Sequence, residues 1–504
     1  MKPFCSILGT LSCIVLAAAQ QTKTANLTVE PLVHFQEPVH SEVVEEPNGP
    51  MQPGTDPLRS EQWYLRNDGK AGSKGTPGVL GADIDFPSNL DDYPVHETVT
   101  LAIIDTGLNL EHPDLDLDRI FVNSGESGTD SDGNDKATNG RDDDGNGFVD
   151  DIRGWSFADG KPTIPDGRRH GTHLTGLMVA RTGNGIGIAA PWRGFTVLPI
   201  QIFSSAHPSI PTEKIAAAVR YAVDMGAKVI SASFGTPSFS QVMADAVAYA
   251  NDHDVLFVSA TGNFRRNLEI EPNYPSGYGF PNQIAVGSSD RRDLYSTFSN
   301  FGIAVDIASP GEEIVSLGEK DGYLSTSGTS QATPLVSATA AMLRALYPKL
   351  SAPQIKDRIL EGADAKVGII NFTRTGRRLN VSNAVTGRQG LRLPTYGEDA
   401  WPSTPLSIES EHPYRGNLNQ RFVIKTPPGA ARFRVHFSRL QTQSSDILFL
   451  NSEAGTTLVQ MSGEMGSFWS PVIEGDAAEL LFKTDAIGLD WGFAVDAIAT
   501  ENSP

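Results

Sequence analysis

Between residues 98 and 289, five stretches place apolar residues one after another: TVTLAIID, FTVLPIQIF, AKVISASF, VLFVSATG and IAVGSS. A strand that is apolar on consecutive residues leaves no face for water, so it must be covered on both sides. Between these runs lie TEKIAAAVRYAVDMG and SQVMADAVAYANDH, where apolar residues recur at three and four as on one face of a helix. Strands alternating with crossover helices build an α/β fold, a mostly parallel sheet sandwiched by helices. Such sheets gather ligands at the carboxyl ends of their strands. This texture spans residues 56–387. From residue 388 to 504 it gives way to RFVIKTP, RFRVHFSRL, DILFLNS and ELLFKTD, broken by Gly, Pro, Asn and Ser, which predicts a separate antiparallel β-sandwich domain.

The first residues, MKPFCSILGTLSCIVLAAAQ, join a lysine, an apolar run and an alanine-rich end. That is the layout of a cleavable signal peptide over residues 1–19, shorter than the ~20 apolar residues a membrane span needs. The expectation is a secreted or periplasmic protein without a membrane span after cleavage. Cys5 and Cys13 both fall in this segment, so the mature chain is expected to carry neither a disulfide nor a thiolate metal site. Residues 20–55, rich in Pro, Glu and Val without a period, predict a mobile acidic leader. A net charge of −20 argues against nucleic acid as a partner and leaves carboxylates available for divalent cations.

Amide hydrolysis by a serine needs a hydroxyl nucleophile, an imidazole base, a carboxylate to orient it and donors for the oxyanion. Asp105 ends a buried run before Thr106 and Gly107. His170 opens HGTHLTGLMVA, and Ser330 lies in TSGTSQATPLVSATAAMLRAL at a helix start, with Pro334 in the first turn. Asn263 ends VLFVSATGN, where its amide can donate to an oxyanion.

DTG, HGTHLTG, ATGN and GTSQATP, in that order, resemble the subtilisin family of serine peptidases over roughly residues 56 to 387. The resemblance implies a serine endopeptidase acting on protein or peptide substrates, with Asp105, His170 and Ser330 as the triad. Asn263 and the Ser330 N–H would form the oxyanion hole, and His173 would be structural. It also implies substrate-pocket walls at Ser233, Phe234, Gly235, Ala260, Thr261 and Gly262, with Asn273 setting pocket depth. Gln331 departs from the methionine common after the nucleophile. A dormant subtilisin-fold binding or adhesion protein is the alternative from another class. A GxSxG-type acyl hydrolase is disfavoured because Ser330 lies in GTSQA.

Residues 142–151 read DDDGNGFVDD, an oxygen density that resembles the start of an EF-hand loop. The closing glutamate is missing, since Arg153 holds its place. The expectation is therefore a structural Ca²⁺ loop using Asp142, Asp144, Asn146 and Asp150 or Asp151. The family resemblance implies a second Ca²⁺ site at Asp56, Asp114 and Asn184, completed by carbonyls near Thr182, Ile186 and Ile188. The tail resembles a CUB-type β-sandwich, a fold that binds proteins or glycans. Asp446 and Asp485 fit its calcium aspartates, but Gln441 and Gln443 stand near the expected glutamate. The leader is shorter and more polar than the folded prodomain that many subtilisins carry.

Overall fold

The structure, a computed structural model, describes residues 31–46, 54–391 and 401–502, without 73, 74, 76, 367, 427–429, 444–445, 456, 463, 466–467, 471–472 and 487–489. The predicted signal peptide and both cysteines lie outside the described residues. The chain opens with two short strands, β1 (Leu32–His34) and β2 (His40–Val44), so the described part of the predicted mobile leader is ordered against the protein. Main-chain pairing supplies that order, which composition alone did not signal.

The five apolar runs all become strands: β3 (Val99–Asp105), then, after β4 (Trp155–Ser156), β5 (Phe195–Gln201). The short β6 (Ser209–Pro211) is followed by β7 (Ala227–Ala232), β8 (Leu256–Ala260) and β9 (Gln283–Ser289). Further on come β10 (Ile307–Pro310), the hairpin β11 (Ile314–Leu317) and β12 (Tyr323–Ser327), and β13 (Asp364–Ala365) with β14 (Arg377–Arg378). Nine of them form one sheet in the order β13-β14-β10-β9-β8-β7-β3-β5-β4, parallel except where β13 meets β14. Six helices accompany it: α1 (His170–Val179), α2 (Thr212–Asp224), α3 (Gln241–Asp252), α4 (Thr329–Leu346), α5 (Ala352–Gly362) and α6 (Val381–Thr386).

Alternate residues of the central strands feed two separate cores. Leu101 and Ile103 of β3 join Leu256 and Val258 of β8 in the cluster beneath α1, α4 and α5. Ala102 and Ile104 join Phe257 in the cluster beneath α2 and α3. That two-sided demand is what the uninterrupted apolar runs encode.

Helix α4 is buried along nearly its whole length, and Ser330 is its one residue that is not buried. Its hydroxyls are satisfied internally: Thr333, Ser337 and Thr339 each donate to the carbonyl four residues back. Pro334 lies inside α4, past the first turn where the sequence predicts it, and the Ser330 carbonyl that it leaves without an intrahelical donor accepts instead from the Ser233 hydroxyl at 3.2 Å.

The tail forms two antiparallel sheets. Its strands are β15 (Ser403–Glu409), β16 (Asn419–Lys425), β17 (Ala430–Gln441), β18 (Ile447–Ser452), β19 (Thr457–Met461), β20 (Glu464–Met465), β21 (Phe468–Trp469), β22 (Ile473–Glu474), β23 (Ala477–Lys483) and β24 (Gly492–Asn502). One sheet is built on β15-β24-β17 and the other on β16-β23-β18-β19. Phe433, Phe437, Leu450, Phe482 and Phe493 fill the space between them as a β-sandwich. The same apolar cluster reaches across to Tyr295, Phe301 and Phe372 of the α/β part. Phe372 stacks on Tyr295 at 5.0 Å and meets Phe301 edge-on. The guanidinium of Arg265 lies 4.8 Å from the Phe372 ring, and its Nε donates to Ser462 Oγ at 3.1 Å. Gln460 donates to the Tyr295 carbonyl. Among the described residues, no helix is long and apolar enough to cross a membrane.

Phe372 is 1% exposed, so Phe372→Ala opens a cavity at this seam. The expected loss is about 3–5 kcal/mol, read as a lower unfolding midpoint in denaturant; an unchanged midpoint would count against a shared core.

Candidate active site

β3 delivers Asp105 to the carboxyl edge of the sheet. Its Oδ1 accepts from the Thr106 N–H at 2.7 Å and from His170 Nδ1 at 2.7 Å, and both side chains of the pair are almost wholly enclosed. Because a carboxylate only accepts, the proton of the neutral imidazole stands on Nδ1 and Nε2 is the acceptor. Nε2 is buried and has no hydrogen-bond partner among the described residues. Burial disfavours a charged His170, but the Asp105 carboxylate outweighs it, aided by Asp166 and Glu37, and the pKa lies above the usual histidine value.

The start of α1 is fixed by Asp166, whose carboxylate accepts from the Thr106 hydroxyl and from the N–H groups of Arg168, Arg169 and Thr172 at 2.7–3.0 Å. Thr106 Oγ1 in turn accepts from the Gly171 N–H. A Cβ on Gly171 would stand 2.2 Å from the Gly107 carbonyl, so only glycine lets the helix come this close to the strand end. Asp166 is absent from the predicted site. An aspartate four residues ahead of a helix-opening histidine, in PDGRRH, is the local signal that points to it.

His173 is held apart from this chemistry. Its Nε2 faces the carbonyls of Ile314 and Leu324 at 3.1 and 3.2 Å, and burial, with His170 nearby, lowers its pKa to about 3. It is a neutral donor tying α1 to β11 and β12.

Thr329 locks the opening of α4 onto the end of β8. Its N–H and hydroxyl donate to Asn263 Oδ1 at 2.8 and 2.9 Å, and its Oγ1 accepts from the Gly262 N–H. With Oδ1 engaged, the Asn263 amide nitrogen is the group left to serve the cleft. The Ser330 hydroxyl turns toward the Ser233 carbonyl at 3.4 Å rather than toward His170. The nucleophile–base hydrogen bond expected of a triad is therefore not formed here. Such bonds are commonly long or misaligned before a productive complex forms.

Ser330 and Asn263 line one cavity with Ser233, Phe234, Gly235, Ala260, Gly262 and Asn273, six of the seven predicted pocket residues. Thr261 departs from that prediction: it is fully buried and its hydroxyl donates to the Val286 carbonyl. Asn273 is 8% exposed, and its Nδ2 is buried without a partner among the described residues. A Cβ on Gly235 would lie 2.3 Å from that nitrogen, so the missing side chain opens the way to Asn273.

Two acidic clusters lie outside this cavity. Glu126, Asp142 and Asp144 bring carboxylate oxygens within 4.8 Å of one another, an arrangement that can hold a metal ion. Glu126 is fully buried and its Oε2 lacks a hydrogen-bond partner among the described residues; burial, then the neighbouring aspartates, raises its pKa. It comes from NSGESG, sixteen residues before Asp142, and no local spacing links the two. The predicted Asp150 and Asp151 take other duties: Asp150 accepts from the Gly140 N–H, and Asp151 accepts from the Tyr221 hydroxyl and Asn123. Asn146 donates to both Asp144 and Asp151.

Asp56, Asp114 and Asn184 also meet. Asn184 donates to Asp114 Oδ1 at 2.8 Å, the Ile188 N–H donates to Oδ2 at 3.0 Å, and Asp56 accepts from the Gly183 N–H. Glu46, unforeseen from the sequence, accepts from the adjacent Gly187 N–H. Burial pushes the Asp114 carboxyl up to about 7.

The pattern of the Subtilase family matches residues 96–390. Thermitase of Thermoactinomyces vulgaris is 34% identical over 285 residues, covering 56% of this chain and 88% of thermitase. The cell wall-associated protease of Bacillus subtilis is 32% identical over 353 residues, 69% of this chain and 34% of that protein. A thermophilic serine proteinase of a Bacillus species is 32% identical, over 57% of this chain and 61% of its own. A crystal structure of a cold adapted subtilisin-like serine proteinase aligns at a TM-score of 0.47 and 24% identity, over 63% of this chain and 97% of that one. With the family pattern spanning most of the chain and thermitase matched over most of its length, the chain belongs to the subtilase family and is a subtilisin-like serine peptidase.

Proposed function

We propose that this chain is a secreted endopeptidase in which Ser330 Oγ attacks the scissile carbonyl while His170 Nε2 takes its proton and later returns it to the leaving amine. Asp105 holds the tautomer and orientation of His170 and stabilises the imidazolium. The Asn263 amide and the Ser330 N–H, at the positive end of α4, receive the oxyanion. The observation that carries this reading is the convergence of a buried Asp105–His170 pair with a Ser330–Asn263 cavity at the carboxyl edge of one sheet. Ser233–Gly235 offers extended backbone to a substrate strand, as does β6 along the edge that β1 occupies here, which favours unfolded or loop segments.

Two cation sites would steady the fold in place of disulfides. The carboxylates of Glu126, Asp142 and Asp144 fit an oxygen-preferring divalent ion, Ca²⁺ foremost, and the unpartnered Glu126 oxygen supports that fit. Asp56, Asp114 and Asn184 make the second. The tail reads as a CUB-like domain for a protein or glycan target. Its Asp446 accepts from the Tyr414 hydroxyl and the Asp485 N–H, which favours a structural duty for that aspartate.

Unfolded casein should be cleaved by the wild type and spared by Ser330→Ala, with turnover down ~10⁶-fold, a figure measured in subtilisin itself. Asn263→Ala should cost ~10²–10³-fold. Equal cleavage by wild type and Ser330→Ala refutes the mechanism.

In the Ser330→Ala background, an NMR titration of His170 should show a midpoint above the ordinary histidine value of about 6.5. Asp105→Asn should bring it down; no movement would remove Asp105 as the main raising influence.

Asp114 binds a proton on folding, because its pKa rises from the ordinary carboxylate range to about 7. Cation-free protein therefore loses stability as pH climbs from about 4 to about 7, and a cation must displace that proton wherever the pH lies below about 7. The Ca²⁺-induced rise in melting temperature should be larger at about pH 8 than at about pH 5.5, and Asp114→Asn should flatten the difference. A rise independent of pH would contradict this assignment.

A further inference from the structure

Gln331 follows the nucleophile on α4 and is fully buried, yet neither its Oε1 nor its Nε2 has a hydrogen-bond partner among the described residues. Other buried amides are satisfied at both ends. Gln62 donates to the Ala189 carbonyl and accepts from the Ala189 N–H, and Asn300 donates to the Thr261 carbonyl while accepting from the N–H groups of Phe264 and Arg266. An amide left unpaired at both ends is costly to bury, so it points to a partner that enters from outside the fold.

Its surroundings say what that partner is. Gln331 lines a cavity of about 140 Å³ with His170, His173, Leu324 and Thr326, separate from the one that holds Ser330, Asn263 and Asn273. His170 Nε2 and His173 Nδ1 are also buried without a hydrogen-bond partner among the described residues. Because His173 donates through Nε2 to backbone carbonyls, its Nδ1 is an acceptor. A water occupies ~30 Å³ and needs two to four polar partners, and this chamber has both the room and the groups. It also adjoins the reacting centre. A Cβ on Gly328 would lie 2.7 Å from Gln331 Oε1 and 3.2 Å from Asn263 Nδ2, so the glutamine oxygen and the oxyanion donor flank the same glycine. With the acyl part of a substrate in the Ser330–Asn273 cavity, the chamber of His170 is the side on which the amine leaves.

We infer that Gln331 is a positioning residue for the second half of the reaction, its side-chain carbonyl holding the water that hydrolyses the acyl-enzyme. This rests on the catalytic reading above. After the amine departs, a water takes its place, donating one O–H to Gln331 Oε1 and the other to His170 Nε2. That leaves a lone pair of the water oxygen for the acyl carbon. The new C–O bond forms as His170 Nε2 takes the water proton. The bond from the acyl carbon to Ser330 Oγ then breaks, and Oγ recovers that proton from His170. Gln331 itself gains and loses no proton.

The two halves of the reaction depend on this contact unequally. A leaving peptide is held by its own backbone and side chains, whereas a water has no other handle than the groups that line the chamber. A methionine at this place would have similar length but only a weak sulfur acceptor. Replacing the amide therefore falls on deacylation, and an added amine then competes better with water for the acyl group.

Wild type, Gln331→Met and Gln331→Leu are compared on a peptide p-nitrophenyl ester and on the p-nitroanilide of the same peptide, with rates expressed per active site from the burst of p-nitrophenol. In both variants the hydrolysis rate constant of the acyl-enzyme should fall about tenfold, the worth of one hydrogen bond to the bound water. kcat/KM on the anilide, which reports acylation, should fall by less than about threefold. With glycinamide present, the ratio of amide to acid product should rise by about the same tenfold factor. A hydrolysis rate constant within about twofold of wild type in both variants, or an equal loss in acylation, overturns this inference and leaves the peptidase reading standing. A product ratio that moves only through tighter glycinamide binding overturns it as well. Ester and casein cleavage that survive Ser330→Ala overturn both.

Discussion

A sheet sealed on both faces leaves only the ends of its strands for chemistry, and every part of this cleft obeys that constraint. Asp105 is the last residue of β3, and Asn263 follows the end of β8. α4 packs so completely that Ser330 alone escapes burial. The short links among them are polar and directional: Thr106 and Asp166 set the start of α1, and Thr329 ties α4 to Asn263. Apolar burial thus supplies rigidity, and a few oriented hydrogen bonds turn it into placement.

The α/β layout and the placement of Asp105, Asn263, His170 and Ser330 at strand ends and helix starts were legible because their signals are local. Consecutive apolar runs report two-sided burial directly, and DTG, HGTH and GTSQATP each carry their own strand end or helix start. What escaped depends on distance along the chain. Glu126 meets Asp142 only because the loops fold back on each other, and Glu46 reaches Gly187, beside Asp114, only because residues 31–46 pair with β6 and β12. The leader itself read as unstructured, since three- and five-residue strands that borrow partners from β6 and β12 have no period of their own. Thr261 shows the converse limit: a motif names a residue, while backbone geometry decides whether its side chain faces the cavity or Val286.

Acidic groups shape the molecule beyond its net charge. Carboxylates that accept several N–H groups, as Asp166 does, act as fixed acceptors that terminate loops and begin helices. Burial raises the pKa of Asp166, Asp114 and Glu126 alike, and at Glu126 and Asp114 neighbouring carboxylates add to it. Sequence composition counts all of them alike; the structure separates them by what surrounds each, N–H donors at Asp166 and other carboxylates at Glu126.

The seam of Tyr295, Phe372 and Arg265 has a geometric meaning for the tail. A domain on a flexible tether samples a volume, and its benefit to the active site depends on linker length. A domain that shares a core with its neighbour samples one orientation. The β-sandwich therefore keeps one angle and height relative to the cleft, set by the breadth of the two bodies rather than by chain entropy.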